Sequence, residues 1–240
     1  MSFLTAEWRK LAFANYPVDP AILQPYVPFG TELDTWNGNC YLSLVGFMFT
    51  GVRLLGVPVP FHTEFEEVNI RFYVRRWEGE EWKRGVVFVR EIVPKAAITF
   101  VANTVYNENY QTLSMRHHWG TTPEGKQTVA YEWQKDGHWQ SFRLTTEPST
   151  VSIADGSEEE FITEHYWGYA AVDDHHANEY EVTHPRWGLY PLLDYNIEVD
   201  YGLVYGEEFA FLNQATPTSV FLAEGSPITV EKKRALGDKS

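Results

Sequence analysis

The fold is decided by residues 65–74, which read Phe65-Glu66-Glu67-Val68-Asn69-Ile70-Arg71-Phe72-Tyr73-Val74. Apolar side chains occupy the even positions from Val68 to Val74, and polar side chains occupy the odd positions from Glu67 to Tyr73. Because successive side chains of a β-strand point to opposite faces, this pattern predicts a strand with one core face and one polar face. The polar face has two interpretations: a solvated surface of an antiparallel sheet, or a row that lines a cleft.

Strand signals continue on both sides of this stretch. Residues 32–36 precede Asn37-Gly38, a strong hairpin signal, and residues 39–50 are the expected partner strand. Residues 85–93 are typical of a buried strand, and residues 127–134 and 138–146 predict a hairpin across Asp136-Gly137. Residues 193–201 alternate as a strand, and closing strands are expected at residues 219–223 and 228–230.

Four segments have helical signals instead. Thr5 is a candidate cap for a helix over residues 6–16, in which Trp8, Leu11 and Phe13 share an apolar side. The other three signals are Asp19-Pro20, the apolar spacing of residues 96–106, and the capping box that starts at Ser157. Many strands with few helices predict a mainly β (α+β) fold, a partly closed barrel formed by one domain over residues 1–240. Residues 231–240 are polar and are expected to be a frayed tail.

Composition excludes several classes of protein. The 240 residues carry 19 Lys and Arg against 33 Asp and Glu, a net charge of −14. This charge argues against nucleic acid and against an anionic membrane as partners. Cys40 is alone, so an internal disulfide is excluded, and the first residues lack the pattern of a signal peptide. We therefore expect a soluble, cytoplasmic protein. The many Trp and Tyr residues also make homo-oligomerisation plausible, with no preferred stoichiometry.

Two motifs resemble a cofactor site or a metal site, but each lacks a feature that such a site needs. Residues 120–127 nearly match a phosphate-binding loop, but Gln127 stands where a Ser or Thr must reach magnesium. His117-His118 and His175-His176 are adjacent pairs, and adjacent residues of a strand point to opposite faces, so neither pair chelates by itself. The sequence gives no positive evidence for a metal or an organic cofactor.

Two elements could carry chemistry. In the polar row, Arg71 is suited to bind a carboxylate, Glu67 to transfer a proton and Asn69 to orient a substrate. Lys95 follows a buried strand and begins the apolar helix. A helix N-terminus and burial both favour the neutral amine, which is a nucleophile toward carbonyls. The alternative is a surface lysine at a strand–helix junction.

The sequence resembles the YqjF-like family of uncharacterised bacterial proteins, which belongs to the acetoacetate decarboxylase-like superfamily. The matching stretches run from about Trp8 to Ile228 and include Phe13-Ala14-Asn15-Tyr16-Pro17-Val18, Leu33-Asp34-Thr35-Trp36-Asn37-Gly38, Gly51-Val52-Arg53, the row from Phe65 to Val74, Phe161-Ile162-Thr163-Glu164-His165-Tyr166 and His184-Pro185-x-Trp187. The resemblance implies an antiparallel β cone or barrel with a few peripheral helices and an internal cavity. It also implies that Glu67, Asn69 and Arg71 face this cavity.

The resemblance extends to the chemistry only in part. Decarboxylases of the superfamily use a lysine in a Pro-Lys-Lys motif, which condenses with a β-keto acid. Here Pro94-Lys95 matches the first two positions, and Ala96 replaces the second lysine.

Two hypotheses stay open. In the first, Lys95 and Glu67 are catalytic in a Schiff-base reaction of a keto acid, and the substrate is bound by Arg71, Arg53, Asn69 and Tyr73. In the second, the cavity is a non-catalytic binding site for a small ligand, as its aromatic composition suits. The position of Lys95 distinguishes the two.

Overall fold

A computed structural model of the chain describes residues 2–237; Met1 and residues 238–240 lie outside the described residues. Strands dominate the described part of the chain: β1 (Leu4–Val18), β2 (Glu32–Leu33), β3 (Cys40–Leu54), β4 (Val57–Pro58), β5 (Phe65–Glu78), β6 (Glu81–Val93), β7 (Tyr110–Thr112), β8 (Ser114–Thr121), β9 (Gln127–Lys135), β10 (His138–Thr146), β11 (Val151–Ser152), β12 (Trp167–Asp173), β13 (His176–Thr183), β14 (Gly188–Tyr190), β15 (Leu192–Glu198), β16 (Ser219–Val230) and β17 (Arg234–Gly237).

The helices are short and lie between strands. They are α1 (Pro20–Leu23), α2 (Ala96–Val105), α3 (Glu158–Thr163) and α4 (Tyr201–Tyr205), with 3-10 helices at Gln24–Tyr26 and Glu207–Gln214. Asp19 and Ser157 cap α1 and α3 with their side chains, as the sequence predicts. Over residues 2–237, no helix has both the length and the apolar character needed to cross a membrane.

Thirteen strands form one large sheet, which closes on itself. Its path runs β11-β14-β16-β1-β3-β5-β6-β12-β13-β17, with β2, β4 and β7 paired at the sides. β13 also pairs with β16 through Val182–Val230 and Thr183–Thr229, so the path from β16 to β13 returns to its start. Most pairs are antiparallel, and β6 pairs in parallel with β7 and β12. A second, four-stranded sheet has the order β15-β10-β9-β8.

Both faces of the large sheet are buried. On the outer face, the even positions of β5 pack with Tyr131, Trp133 and Phe142 of the small sheet. On the inner face, Phe13, Val45 and other apolar residues form a second cluster. The alternation seen in residues 65–74 is therefore confirmed. The solvated-surface interpretation of the polar row is wrong, because Glu67 and Asn69 are only 2% and 1% exposed.

The predicted helix over residues 6–16 is wrong, because this segment is β1. Arg9 pairs with Met48 and Ala12 pairs with Gly46, so two residues of β1 lie opposite one residue of β3. This β-bulge is centred on Lys10, whose φ is 54°. The extra residue moves Leu11 to the face that Trp8 occupies. The resulting three-residue interval between inward apolar residues imitates the spacing of a helix.

Three other expectations differ from the structure. Asn37 and Gly38 adopt the positive φ of a tight turn, but β2 pairs with β5 rather than with β3. The two closing strands expected at 219–223 and 228–230 are one strand, β16. Part of the expected frayed tail is β17, which pairs with β13 because Leu236 is buried and Arg234 forms ion pairs with Glu78 and Glu179. Residues 238–240 of that tail lie outside the described residues.

Candidate functional site

The closed sheet surrounds a cavity of about 220 Å³. Its walls are mainly apolar and aromatic, with Phe47, Phe65, Phe88 and Trp187 among the lining residues. α2 contributes a further apolar wall through Ala97, Ile98, Val101 and Ala102. Against these walls, the few polar side chains of the cavity stand out as the groups that would orient a ligand.

Glu67, Asn69 and Arg71 all line this cavity, as the polar row of β5 predicts. Asn69 Nδ2 donates to Glu67 Oε1 over 2.9 Å, and the Tyr110 hydroxyl donates to Glu67 Oε2 over 3.0 Å. Burial raises the pKa of Glu67 to about 7, although Asn69, Tyr110 and the charge of Arg71 favour the ionised form. Glu67 can therefore accept or release a proton near neutral pH.

Two further carboxyl groups line the cavity beside Glu67. Glu91 lies on β6 directly opposite Asn69, and Glu108 lies in the loop between α2 and β7. The Tyr180 hydroxyl donates to Glu108 Oε1 over 2.7 Å. Burial raises the pKa of Glu108 to about 8, and burial with the charges of Glu108 and Glu67 raises the pKa of Glu91. We call Glu67, Glu91 and Glu108 the acid cluster.

Arg71 is a buried cation with an incomplete set of partners. It is 8% exposed and packs near the rings of Phe13 and Tyr73, with its guanidinium carbon 5.3 and 5.6 Å from their centroids. Its Nη2 donates to the carbonyl oxygen of Ile162 over 3.1 Å, and its Nε has no hydrogen-bond partner in the part of the chain that the structure describes. Over residues 2–237, no carboxylate oxygen comes within 4.0 Å of this guanidinium.

His165 also lines the cavity and is oriented by Asp34. Its Nε2 lies 3.1 Å from Asp34 Oδ2, which accepts a second hydrogen bond from Arg84 Nε over 2.7 Å. Burial lowers the pKa of His165 to about 4, so the imidazole is neutral at pH 7. Although burial opposes it, bonding to His165 and Arg84 lowers the pKa of Asp34 to about 2. Because the ionised Asp34 can only accept, His165 carries its proton on Nε2, and Nδ1 is a free acceptor.

Two residues expected at the site lie elsewhere. Tyr73 is buried outside the cavity lining, where its hydroxyl lies 2.7 Å from Ser43 Oγ and its ring packs on His165. Arg53 is exposed, and its guanidinium lies within hydrogen-bond reach of Gly56 O. Near Arg53, β3 has a bulge at Gly51, with φ of 63°, which turns Val52 and Leu54 inward. Arg53 therefore faces away from the cavity.

Lys95 does not line the cavity either. It is half-buried and occupies the N-cap position of α2 with an extended backbone, and its side chain makes no capping hydrogen bond. The lining contributed by this helix begins two residues later, at Ala97. Among the described residues, the cavity lining contains no lysine.

The sequence reasoning missed Glu91, Glu108, Tyr110, Tyr180 and His165. The pairing of β5 with β6 is the signal that would have found Glu91, because it places this carboxyl opposite Asn69. His165 lies in one of the stretches that carry the family resemblance, but no spacing along the sequence links it to the polar row of β5. Within residues 2–237, no group of three His, Cys, Asp or Glu side chains has the arrangement of a metal site.

Comparison with known proteins identifies the family. The model of the DUF2071 family, described as an uncharacterized conserved protein, matches residues 5–227. The chain belongs to this family. A curated relative, the uncharacterized protein YqjF of Bacillus subtilis (strain 168), is 44% identical over 68 residues. That match covers 28% of this DUF2071 chain and 28% of the relative.

Solved structures support the fold. The enduracididine biosynthesis enzyme MppR complexed with pyruvate has a TM-score of 0.68 and 14% identity, covering 100% of this chain and 93% of that one. An acetoacetate decarboxylase-like enzyme from Sphingomonas wittichii RW1 has a TM-score of 0.68 and 11% identity, covering 100% and 95%. Acetoacetate decarboxylase from Legionella pneumophila has a TM-score of 0.66 and 9% identity, covering 98% and 87%. The expected acetoacetate decarboxylase-like fold is confirmed; at these identities the likeness concerns the fold alone.

Proposed function

We propose that this DUF2071 protein binds a small organic carboxylate in its cavity, without a covalent lysine intermediate. Arg71 is the group that would hold the carboxylate. The observation that carries the proposal is the state of Arg71, a buried guanidinium on the cavity wall. Among the described residues its Nε–H has no acceptor and no carboxylate lies within ion-pair distance.

A buried charge without an ion-pair partner is costly, because it has lost its hydration and has no opposite charge in contact with it. A ligand carboxylate would supply that charge and accept the free Nε–H. The planar guanidinium is well suited to this role, since its N–H groups match the geometry of a carboxylate. The similar fold of MppR, which was solved with the small carboxylate pyruvate, is consistent with this ligand class.

The absence of lysine from the described lining favours binding without a Schiff base. An amine that forms an iminium must contact the carbonyl carbon of the bound molecule. Lys95, the candidate from the sequence, lies at the start of α2 and outside the lining. Of the two hypotheses from the sequence, the non-covalent binding site is therefore the better supported.

The cavity also limits the ligand's size and polarity. A volume of about 220 Å³ lies below the roughly 300–1,000 Å³ of sites for drug-sized molecules. The ligand is therefore of metabolite size. Most of its surface would contact apolar side chains such as Phe47 and Phe88, with its carboxylate at Arg71.

Titration with valerate, followed by tryptophan fluorescence and by calorimetry, tests this proposal; Trp8 and Trp187 line the cavity. Because a hydrogen bond to a charged group contributes about 1.5–3 kcal/mol, Arg71→Gln should weaken valerate binding about 10- to 100-fold. Arg53→Gln is the matched control, since Arg53 is an exposed arginine, and it should bind valerate as the wild type does. Equal affinities of wild type and Arg71→Gln, with both folded by circular dichroism, would overturn the proposal.

A further inference from the structure

The acid cluster points to a second charged group on the ligand. We infer that the ligand is an ω-amino carboxylate, whose basic nitrogen binds between Glu91 and Asn69 while its carboxylate binds Arg71. The carboxylate half of this inference rests on the proposed function. The nitrogen half rests on separate observations at the other end of the polar row.

Two buried acceptors at this end have no partner. Glu91 Oε2 and Asn69 Oδ1 have no hydrogen-bond partner within residues 2–237, although their residues are only 2% and 1% exposed. Both residues line the cavity and lie directly opposite each other on β5 and β6. The orientation of the Asn69 amide is fixed by Glu67, to which Nδ2 donates, so Oδ1 is the free atom. Buried acceptors in native proteins are nearly always satisfied, which indicates that a donor from a ligand belongs here.

The charges at this end favour a cationic donor over a neutral one. Glu67, Glu91 and Glu108 face the cavity together, and Arg71 is the single Lys or Arg among the described lining residues. The groups that face the cluster from other elements are Tyr110 of β7 and Tyr180 of β13, which are neutral donors. His62, His165 and His184 also line the cavity. One guanidinium carries too little positive charge to neutralise three carboxylates. In the empty cavity, at least one carboxyl of the acid cluster is therefore protonated.

A bound ammonium group would replace such a proton. When the cation enters, at least one carboxyl of the cluster becomes the more stable anion and its proton leaves to solvent. A neutral donor such as a hydroxyl would satisfy the same acceptors without releasing a proton. Proton release on binding therefore distinguishes the two kinds of ligand.

The spacing of the polar row limits the length of the ligand. Arg71 is two residues from Asn69 on the same face of β5, and Glu91 lies opposite Asn69. Diagonal neighbours in a regular antiparallel pair have Cα atoms about 7–8 Å apart, and here the register of β6 shifts between Ile70 and Arg71, so probes of several lengths are needed. A linear chain whose two charged ends are separated by a similar distance has four to six carbons, so γ-aminobutyrate, δ-aminovalerate and ε-aminocaproate are suitable probes.

The experiment is calorimetric titration of the full-length protein at neutral pH, repeated in phosphate and Tris, whose ionisation enthalpies differ. The probes are the three amino acids, valerate and pentylamine. In the wild type, the best amino acid should bind at least about tenfold more tightly than valerate and release about one proton. In Glu91→Gln this preference for the amino acid over valerate, measured within the same variant, should fall to about threefold or less. Glu108→Gln is a second variant of the acid cluster. Glu81→Gln is the matched control, because Glu81 is an exposed residue of β6, the strand that carries Glu91.

Each outcome has a separate meaning. Equal binding of valerate and all three amino acids, or tighter binding without proton release, would overturn the inference and leave the carboxylate site at Arg71 intact. If pentylamine bound in a way that depends on Glu91 while valerate did not bind, the proposed carboxylate binding at Arg71 would be overturned. The binding site for a basic nitrogen at Glu91 would be supported. Failure of every probe would overturn both.

Discussion

Asn69 and Glu91 face each other across β5 and β6, and each keeps one buried oxygen without a hydrogen-bond donor. Their backbones are paired antiparallel from Val68 to Ile70, and the register of β6 shifts only after this pair, between Ile70 and Arg71. On β5, two residues from Asn69, the Nε of Arg71 is a buried donor without an acceptor among the described residues. One end of this cavity wall has free acceptors and the other has a cation. It is complementary to a molecule with a hydrogen-bond donor at one end and an anionic group at the other.

The acid cluster makes the stability of the empty protein depend on pH. The pKa of Glu67 is raised from 4.5 to about 7, and that of Glu108 from 4.5 to about 8. At these two groups the folded state therefore binds more protons than the unfolded state, so their contribution to the free energy of unfolding should fall as pH rises from about 4.5 to about 8. His165, whose pKa is lowered to about 4, contributes in the opposite direction below about pH 6.5. Urea unfolding across this range should show a shallower fall in Glu108→Gln than in the wild type. Parallel pH curves for the two proteins would contradict this prediction.

Asp34 should contribute more to stability than a neighbouring surface acid. It is buried and bonds to both His165 and Arg84, so Asp34→Asn leaves charged and polar groups poorly paired. We expect a loss of about 2–4 kcal/mol in the free energy of unfolding, measured in urea at pH 7. Glu32→Gln is the control, because Glu32 is an exposed acid paired with Arg75, and its loss should be below about 1 kcal/mol. Similar losses for the two variants would be inconsistent with a buried role for Asp34.

Much of the fold could be predicted from residues 65–74 and from turn and cap signals. Alternation in β5 identified both of its faces, because burial imposes a period of two wherever the two faces differ in polarity. The bulges could not be predicted, since the positive φ of Lys10 and Gly51 depends on pairing with other strands. The bulge at Lys10 gives β1 the apolar spacing of a helix, and the bulge at Gly51 turns Arg53 outward.

The candidate site was predictable only where it lies on one strand. Glu67, Asn69 and Arg71 share β5, so parity alone brought them together. Glu91, Glu108, Tyr180 and His165 reach the same cavity from other elements, and their proximity depends on long-range pairing that spacing along the chain does not encode.

Lys95 should not form a Schiff base with a small keto acid. We expect no mass gain at this residue after incubation with pyruvate or acetoacetate and reduction by borohydride, because Lys95 lies outside the cavity lining. Lys95→Ala should match the wild type in intact mass after the same treatment. A substrate-sized adduct on the wild type that disappears in Lys95→Ala would contradict the prediction and revive the catalytic hypothesis.

The bulge in β1 requires glycine at position 225 of the partner strand. Gly225 pairs with Arg9, has φ of 82°, and a Cβ added there would lie 2.0 Å from the carbonyl oxygen of Trp8. Gly225→Ala should therefore combine backbone strain with a steric clash against the main chain, and should lower the free energy of unfolding by about 3 kcal/mol or more.

Gly125→Ala is the control that separates these two effects. Gly125 has a similar φ of 79°, but a Cβ added there meets nothing within 4 Å. It should cost only the strain of a left-handed alanine, about 1–2 kcal/mol. Chemical denaturation of both variants measures the difference. If Gly225→Ala were no less stable than Gly125→Ala, the close approach of β16 to the bulge would not be what requires glycine at position 225. The inward positions of Trp8 and Leu11 would then not depend on that approach.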